Sequence, residues 1–455
     1  MNSMPLHDYA LEVPDDARAK LARGWLWLGL VALIGSGVFA LLLVISRTPY
    51  LQNYTPVADF FHVALVVHVD LSVLVWFVSI AGMLWSINGS ARGLAWGWLA
   101  LWGCAAGAAL IAAAPFLGRG GPIMSNYIPV LDGPEFLSGL LLFAAGFALL
   151  VGRSLLCAPI LGLRFDGSGA LRFGLNAAAV SAAVALMAFA WSYLVLPSSL
   201  TGKAYYEIVF WGGGHALQFT WTLLMLVAWL WLISACGARV PLSPRVALLM
   251  FLLALACVFV TPYAYLAHDI ASVEHRHLLT WAMRFGGGLA ILPMSLAVLV
   301  ALRPLSSLSA QARPLFAALL SSVLLFAVGG VIGMFISGSN VKIPAHYHGA
   351  IVGVTLALMG LVYHLLRPLG YAAPSGRLAT WQPVVYGVGQ LMHISGLVWS
   401  GGYGVQRKVA GAEQVLSGRG EIAGMALMGL GGLIAIIGGL LFVVVIIRAM
   451  RAVER

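Results

Sequence analysis

The feature that most constrains this chain is a run of about twelve apolar stretches, each long enough to cross a bilayer core of about 30 Å. They centre near residues 34, 74, 105, 143, 183, 221, 256, 289, 325, 356, 391 and 434. Inside lipid every backbone N–H and C=O must be satisfied within its own segment, which leaves a helical bundle. Composition agrees: 61% of the 455 residues are hydrophobic, 9% are charged, and mean hydropathy is +0.97. A soluble chain of this length needs several times that charge to cover its surface. The expected fold is an all-α integral membrane bundle of twelve transmembrane helices, a single membrane domain over 1–455. Within it, residues 1–20 are a polar segment and about 21–449 are the helices.

The net charge of +10 reflects topology rather than nucleic acid. Arg18, Arg92, Arg153, Arg303 and Arg455 belong to the richer side, and Arg47, Arg119, Arg407 and Lys408 to the poorer one. The positive-inside rule then puts both termini in the cytoplasm, as an even helix count requires. The location expected is the cell's inner (plasma) membrane. The first twenty residues are polar and acidic, unlike a cleaved signal peptide. Cys104, Cys157, Cys236 and Cys257 are scattered, and no CxxC or CxxCH occurs, so neither a zinc ribbon nor covalently attached haem is expected.

With this topology the histidines sort by depth. His68 lies about eight residues into the second segment from its outer end, and His215 is similarly placed in the sixth. His268 closes the seventh, and His346 and His348 open the tenth. All five fall in about the outer third of the membrane at roughly 1.5 Å per residue. Ionisable groups are rare in membrane helices and mark function. Positions two apart turn by about 200° around a helix, so His346 and His348 serve opposite sides. The Gly212–Gly214 run, the Gly286–Gly288 run, and Gly329, Gly330 and Gly333 read as close helix packing, with room for a flat macrocycle.

Five stretches resemble subunit I of the haem–copper oxidase superfamily across nearly the whole chain. They are Val67-His68-Val-Asp70; Trp211-Gly-Gly-Gly-His215-Ala-Leu-Gln218-Phe219; Thr261-Pro-Tyr263-Ala-Tyr265-Leu-Ala-His268-Asp269; His346-Tyr-His348; and Trp399 through Arg407-Lys408. The resemblance implies two haems of b type and one non-haem metal, copper or iron. His68 and His348 would be the axial ligands of a low-spin haem, and His346 the proximal ligand of a high-spin haem. His215 and His268 would hold the second metal opposite that haem. Arg407 and Lys408 would neutralise propionates, or are a solvated pair.

Two departures stand out. Where the family's oxygen reductases have adjacent histidines, this chain reads Ala267-His268 or His268-Asp269. Asp269 is either an oxygen ligand, which suits iron at least as well as copper, or a partner to a ligand histidine or a cap. Phe219 stands where oxygen reductases carry a linked tyrosine. Tyr263 and Tyr265 are the phenols nearest in sequence, and interfacial placement is their ordinary alternative. Gln218 either orients a bound molecule or packs. Nitric oxide reduction needs no tyrosyl radical, so the reading leans to NO over O2. His62, His364 and His393 are assigned to boundary or core roles. Asp70, Glu135, Glu207, Asp269, Glu274, His275 and His277 are outer-side titratable groups. No electron-accepting copper or haem c motif occurs, so an electron-donating subunit with a cytochrome c or cupredoxin domain on the outer face is expected, along with membrane lipid. A twelve-helix transporter and a haem-binding relative without catalysis are the alternatives.

Overall fold

The computed structural model describes residues 7–51, 60–118, 120–159, 164–197, 199–302, 307–409 and 414–452. Arg119, Arg303 and Arg455 of the charge asymmetry lie outside the described residues. Twelve long helices are found among them, one for each expected stretch. We label these α1 (Ala17–Arg47), α2 (Phe61–Asn88), α3 (Leu94–Phe116), α4 (Pro134–Leu156), α5 (Gly167–Val195), α6 (Gly202–Ala235), α7 (Pro244–Ala267), α8 (Val273–Val300), α9 (Ala312–Met334), α10 (Lys342–Leu366), α11 (Gly376–Gly402) and α12 (Arg419–Arg451). Eleven are long and apolar enough to cross a membrane on length and composition. The twelfth, α11, has 27 residues but is diluted by Gln382, Gln390 and His393.

The described chain divides into two compact units: Met1–Gly29 with Leu74–Ser307, and Leu30–Val73 with Leu308–Arg455. In the first unit α3 pairs with α4 and α5 with α6; in the second α9 pairs with α10 and α11 with α12. Small residues set these pairings, because lipid tails provide no hydrophobic drive between helices and close backbone approach must hold them. A Cβ on Gly107 would strike the backbone of Phe143 and Gly139 in α4, and one on Gly389 would strike Ala435 in α12. The core of the second unit is built from Leu325, Val352, Leu356, Ile394, Leu397 and Met425.

Two local departures from regular helix position the site. First, α2 is interrupted by a π-helical turn at Asp70–Val75, which starts two residues after His68. Such single turns concentrate at functional sites. Second, the connection from α3 to α4 is an antiparallel hairpin, β1 (Gly121–Ile123) and β2 (Val130–Asp132), with Ile123 opposite Val130. Its tip is pinned to the first turns of α6. Asn126 Nδ2 donates to Glu207 Oε2 at 2.8 Å, and Tyr206 Oη donates to Asp132 Oδ1 at 2.9 Å.

Candidate haem and metal site

In the second unit three candidate iron ligands sit on α2 and α10. His68 Nδ1 donates to the Ser36 carbonyl at 3.0 Å, with Ser36 Oγ also at 3.0 Å. His346 Nδ1 donates to the Gly329 carbonyl at 2.7 Å. In both rings Nε2 is the nitrogen left to bind a metal, and a tied Nδ1–H fixes tautomer and orientation as metal-ligating histidines require. Gly333 makes room for this: a Cβ there would stand 2.6 Å from His346 Nδ1. His348 lies within electrostatic reach of His68, His393 and Arg47.

Sequence depth alone misplaced His393. Its ring centroid is 5.0 Å from that of His348, and its Nδ1 donates to the Met428 carbonyl at 3.0 Å. It therefore belongs to this group rather than to an unrelated stretch of core. His62, by contrast, bonds the Lys408 carbonyl at 3.0 Å, a boundary role as expected. Arg407 and Arg47 both act electrostatically on Tyr347, the residue between the two histidines of α10. Arg47 is a residue that sequence reasoning passed over. Its Nε donates to Gln414 Oε1 at 3.3 Å, while its Nη2 is buried with no partner. Asp70 is likewise buried, 1% exposed, with neither oxygen hydrogen-bonded. A buried polar group without a partner costs roughly 1–3 kcal/mol, more when charged, so such groups call for an explanation.

The first unit carries the other histidines. His215 is buried on α6, with Nδ1 donating to the Trp211 carbonyl at 2.8 Å. The hairpin brings Tyr127 onto it: Tyr127 Oη stands 2.9 Å from Nδ1 and 3.2 Å from Nε2. Burial, reinforced by the Glu207 carboxylate, holds this phenol above its ordinary range. Tyr127 lies in a short hairpin with no periodicity to flag it. The legible signal was Gly212–Gly214, for these glycines admit three rings. A Cβ on Gly212 would collide with Tyr265, on Gly213 with Phe189, and on Gly214 with Tyr127. Phe189 comes from α5 and Tyr265 from α7, so the run is close helix packing as read from the sequence, with the hairpin ring of Tyr127 as a third occupant.

His268 caps α7, its N–H bonded to the Ala264 carbonyl at 3.1 Å. Of the roles open to Asp269, oxygen ligand, histidine partner or cap, the structure shows a local backbone bond. Asp269 is exposed, and its Oδ1 accepts the Ala271 N–H at 2.8 Å, a turn-forming bond. Tyr263 also lies apart, 59% exposed. Tyr265 is buried and committed, 2.6 Å from Ser192 Oγ and donating to the Ala188 carbonyl at 3.1 Å. Gln218 is half-buried and Phe219 buried on α6. Arg284 is exposed over the Phe285 ring. Among the described residues no three His, Cys, Asp or Glu side chains stand close enough to hold an ion.

Comparison with known proteins gives this arrangement its context. A family model described as cytochrome c and quinol oxidase polypeptide I matches residues 20–441. An uncharacterized protein of Rickettsia prowazekii is 28% identical over 503 residues, 95% of this chain and 96% of its own length. One of Aquifex aeolicus is 29% identical over 362 residues, 79% of this chain and 88% of its own. Among solved structures, a heme-copper terminal oxidase dimer determined by cryo-EM shares the fold. Its TM-score is 0.76 at 16% identity, covering 97% of this chain and 86% of that one. With its helices in this order and a family match spanning nearly its whole length, the chain belongs to the cytochrome c and quinol oxidase polypeptide I family and is a multi-pass membrane oxidoreductase.

Proposed function

We propose that this chain is the catalytic subunit of a respiratory terminal reductase that takes electrons from an outer-face donor and reduces nitric oxide to nitrous oxide. His68 and His348 would hold the low-spin haem and His346 the high-spin haem. His215 and His268 would supply nitrogen ligands to a second metal. These groups would contribute the one-electron redox chemistry when bound. Two of the histidines proposed for the haems carry support. His68 and His346 each have one nitrogen tied to a carbonyl and the other free, the state a metal-bound imidazole needs. Arg407, Lys408 and the half-satisfied Arg47 are suited to carboxylate groups such as propionates.

The observation that carries the substrate is Phe219. It lies one helical turn beyond His215 and has no hydroxyl to give an electron and a proton. Two nitric oxide molecules need only two electrons and two protons to give nitrous oxide and water, and no phenol. The chain's own contribution on the proton side is the Glu207–Asn126 bond and the Tyr127 phenol at the hairpin tip.

A second reading, oxygen reduction, is favoured by one observation: Tyr127 puts a phenol against His215 from outside α6. Purified, prereduced protein would be given each gas in turn, with nitrous oxide measured by gas chromatography and oxygen by electrode. Nitrous oxide formation with slow oxygen uptake is expected. Fast oxygen uptake with no nitrous oxide selects the second reading. A protein with no Soret band would be a transporter.

A further inference from the structure

We infer that His393 is the hydrogen-bond partner of His348: its Nε2 accepts the proton on His348 Nδ1 and so positions that ring. The inference rests on the proposed function, in which His348 Nε2 holds the low-spin haem. A histidine that ligates a metal through one nitrogen carries a proton on the other, and almost always gives it to a carbonyl, carboxylate or water. His68 gives its proton to the Ser36 carbonyl and His346 to the Gly329 carbonyl. His348, on the same helix as His346, makes no hydrogen bond among the described residues. What it has is ring neighbours, Tyr347 with centroids 5.3 Å apart and His393 with centroids 5.0 Å apart.

The state of His393 follows from its own bond. Nδ1 stands 3.0 Å from the Met428 carbonyl, which can only accept, so Nδ1 carries the proton of the neutral ring. Nε2 is then a lone pair, and no hydrogen bond among the described residues uses it. Two glycines of α12 make this arrangement possible. A Cβ on Gly431 would strike the His393 backbone nitrogen, and one on Gly432 would stand 3.2 Å from Nδ1. They let α12 come close enough to present the Met428 carbonyl to the ring.

The other neighbours of His348 do not offer what His393 offers. Arg47 only donates. His68 has its Nδ1 committed to Ser36, and the Tyr347 ring is stacked on His348 with planes at 30°. The His348 and His393 planes lie at 59°. Imidazoles joined edge to edge by one N–H···N bond of about 2.9 Å stand at about the centroid separation seen here. Turning the His348 ring towards Nε2 makes that bond and breaks none. An acceptor on the far N–H raises the basicity of the ligating nitrogen, which favours oxidised over reduced iron. His393 is thereby a positioning residue that lowers the potential of the low-spin haem.

The test is a spectroscopic redox titration of the low-spin haem in wild-type, His393→Asn and His393→Gln proteins. Asparagine keeps a donor for the Met428 carbonyl and loses the acceptor; glutamine puts an amide oxygen where Nε2 stands. His393→Asn should shift the haem towards its reduced form by about tenfold, or about 59 mV for one electron, and His393→Gln should stay near wild type. The carbon monoxide difference band of the high-spin haem is the folding control. If neither variant assembles its haems, NMR of histidine-labelled, reduced wild type decides: a coupling across a hydrogen bond between two imidazole nitrogens supports the inference, and its absence overturns it. An unchanged potential in His393→Asn, or an equal rise in both variants, overturns His393 and leaves the proposed function standing. Wild-type protein with no low-spin haem overturns the two together.

Discussion

The two histidine groups of this molecule are built differently. In the Leu30–Val73 and Leu308–Arg455 unit, His346 and His348 come from one helix and His68 from another. The rings of His68 and His346 are fixed by carbonyls at Ser36 and Gly329. In the other unit, His215, His268 and His275 come from the middle of α6, the end of α7 and the start of α8. There one ring is tied, one caps a helix and one has no partner at all. The first group is preorganised; the second is assembled from helix ends and completed by a hairpin. Under the proposed function, a rigid frame would suit groups that accept and pass electrons at fixed potential, and a looser one the place where substrate enters and product leaves.

The largest effect expected from disturbing this contrast is at the preorganised end. His68→Ala or His348→Ala should abolish the low-spin haem band in the reduced spectrum, and a surviving band would remove that assignment. Gly333→Ala comes next, because its Cβ would stand 2.6 Å from His346 Nδ1 and push the ring from its place. About a tenfold loss of high-spin haem is expected, read from carbon monoxide difference spectra. At the assembled end, Gly214→Ala pushes against the Tyr127 ring and should cost about 1–3 kcal/mol, seen as a lower thermal midpoint with the low-spin band intact. Tyr127→Phe should slow oxygen uptake more than nitrous oxide formation; equal slowing of both would mean that the phenol only steadies His215. The smallest change is expected from Asp269→Asn, which should stay within about 0.5 kcal/mol of wild-type stability, as exposed turn residues do.

The same contrast explains what the sequence could and could not reveal. The bundle and the candidate histidines on α2 and α10 were legible because they obey periodicity: apolar runs of membrane length, and two histidines at an angular offset fixed by the helix. Depth counted in residues found the level of His68 but misjudged His393, because level says nothing about which helices become neighbours. Asp269, open between ligand and cap from its adjacency to His268, is drawn into the turn, as a residue just past a helix end is. His275 was read as a surface titrating group from its place in a short connection, whereas α8 begins early enough to bury it. Tyr127 could not be found from spacing, since a three-residue strand pairing carries it to His215 across 88 positions of chain.

The π-helical turn at Asp70–Val75 accommodates one more residue per turn than an α-helix does. Everything beyond it is therefore out of phase with everything before it by about 100°. The rotational position of His68 on α2 is thus set apart from that of the stretch Trp76–Asn88, which is buried on every side. Removing a single residue from that turn would leave a hydropathy plot unchanged, yet it would swing the imidazole a quarter of the way round the helix.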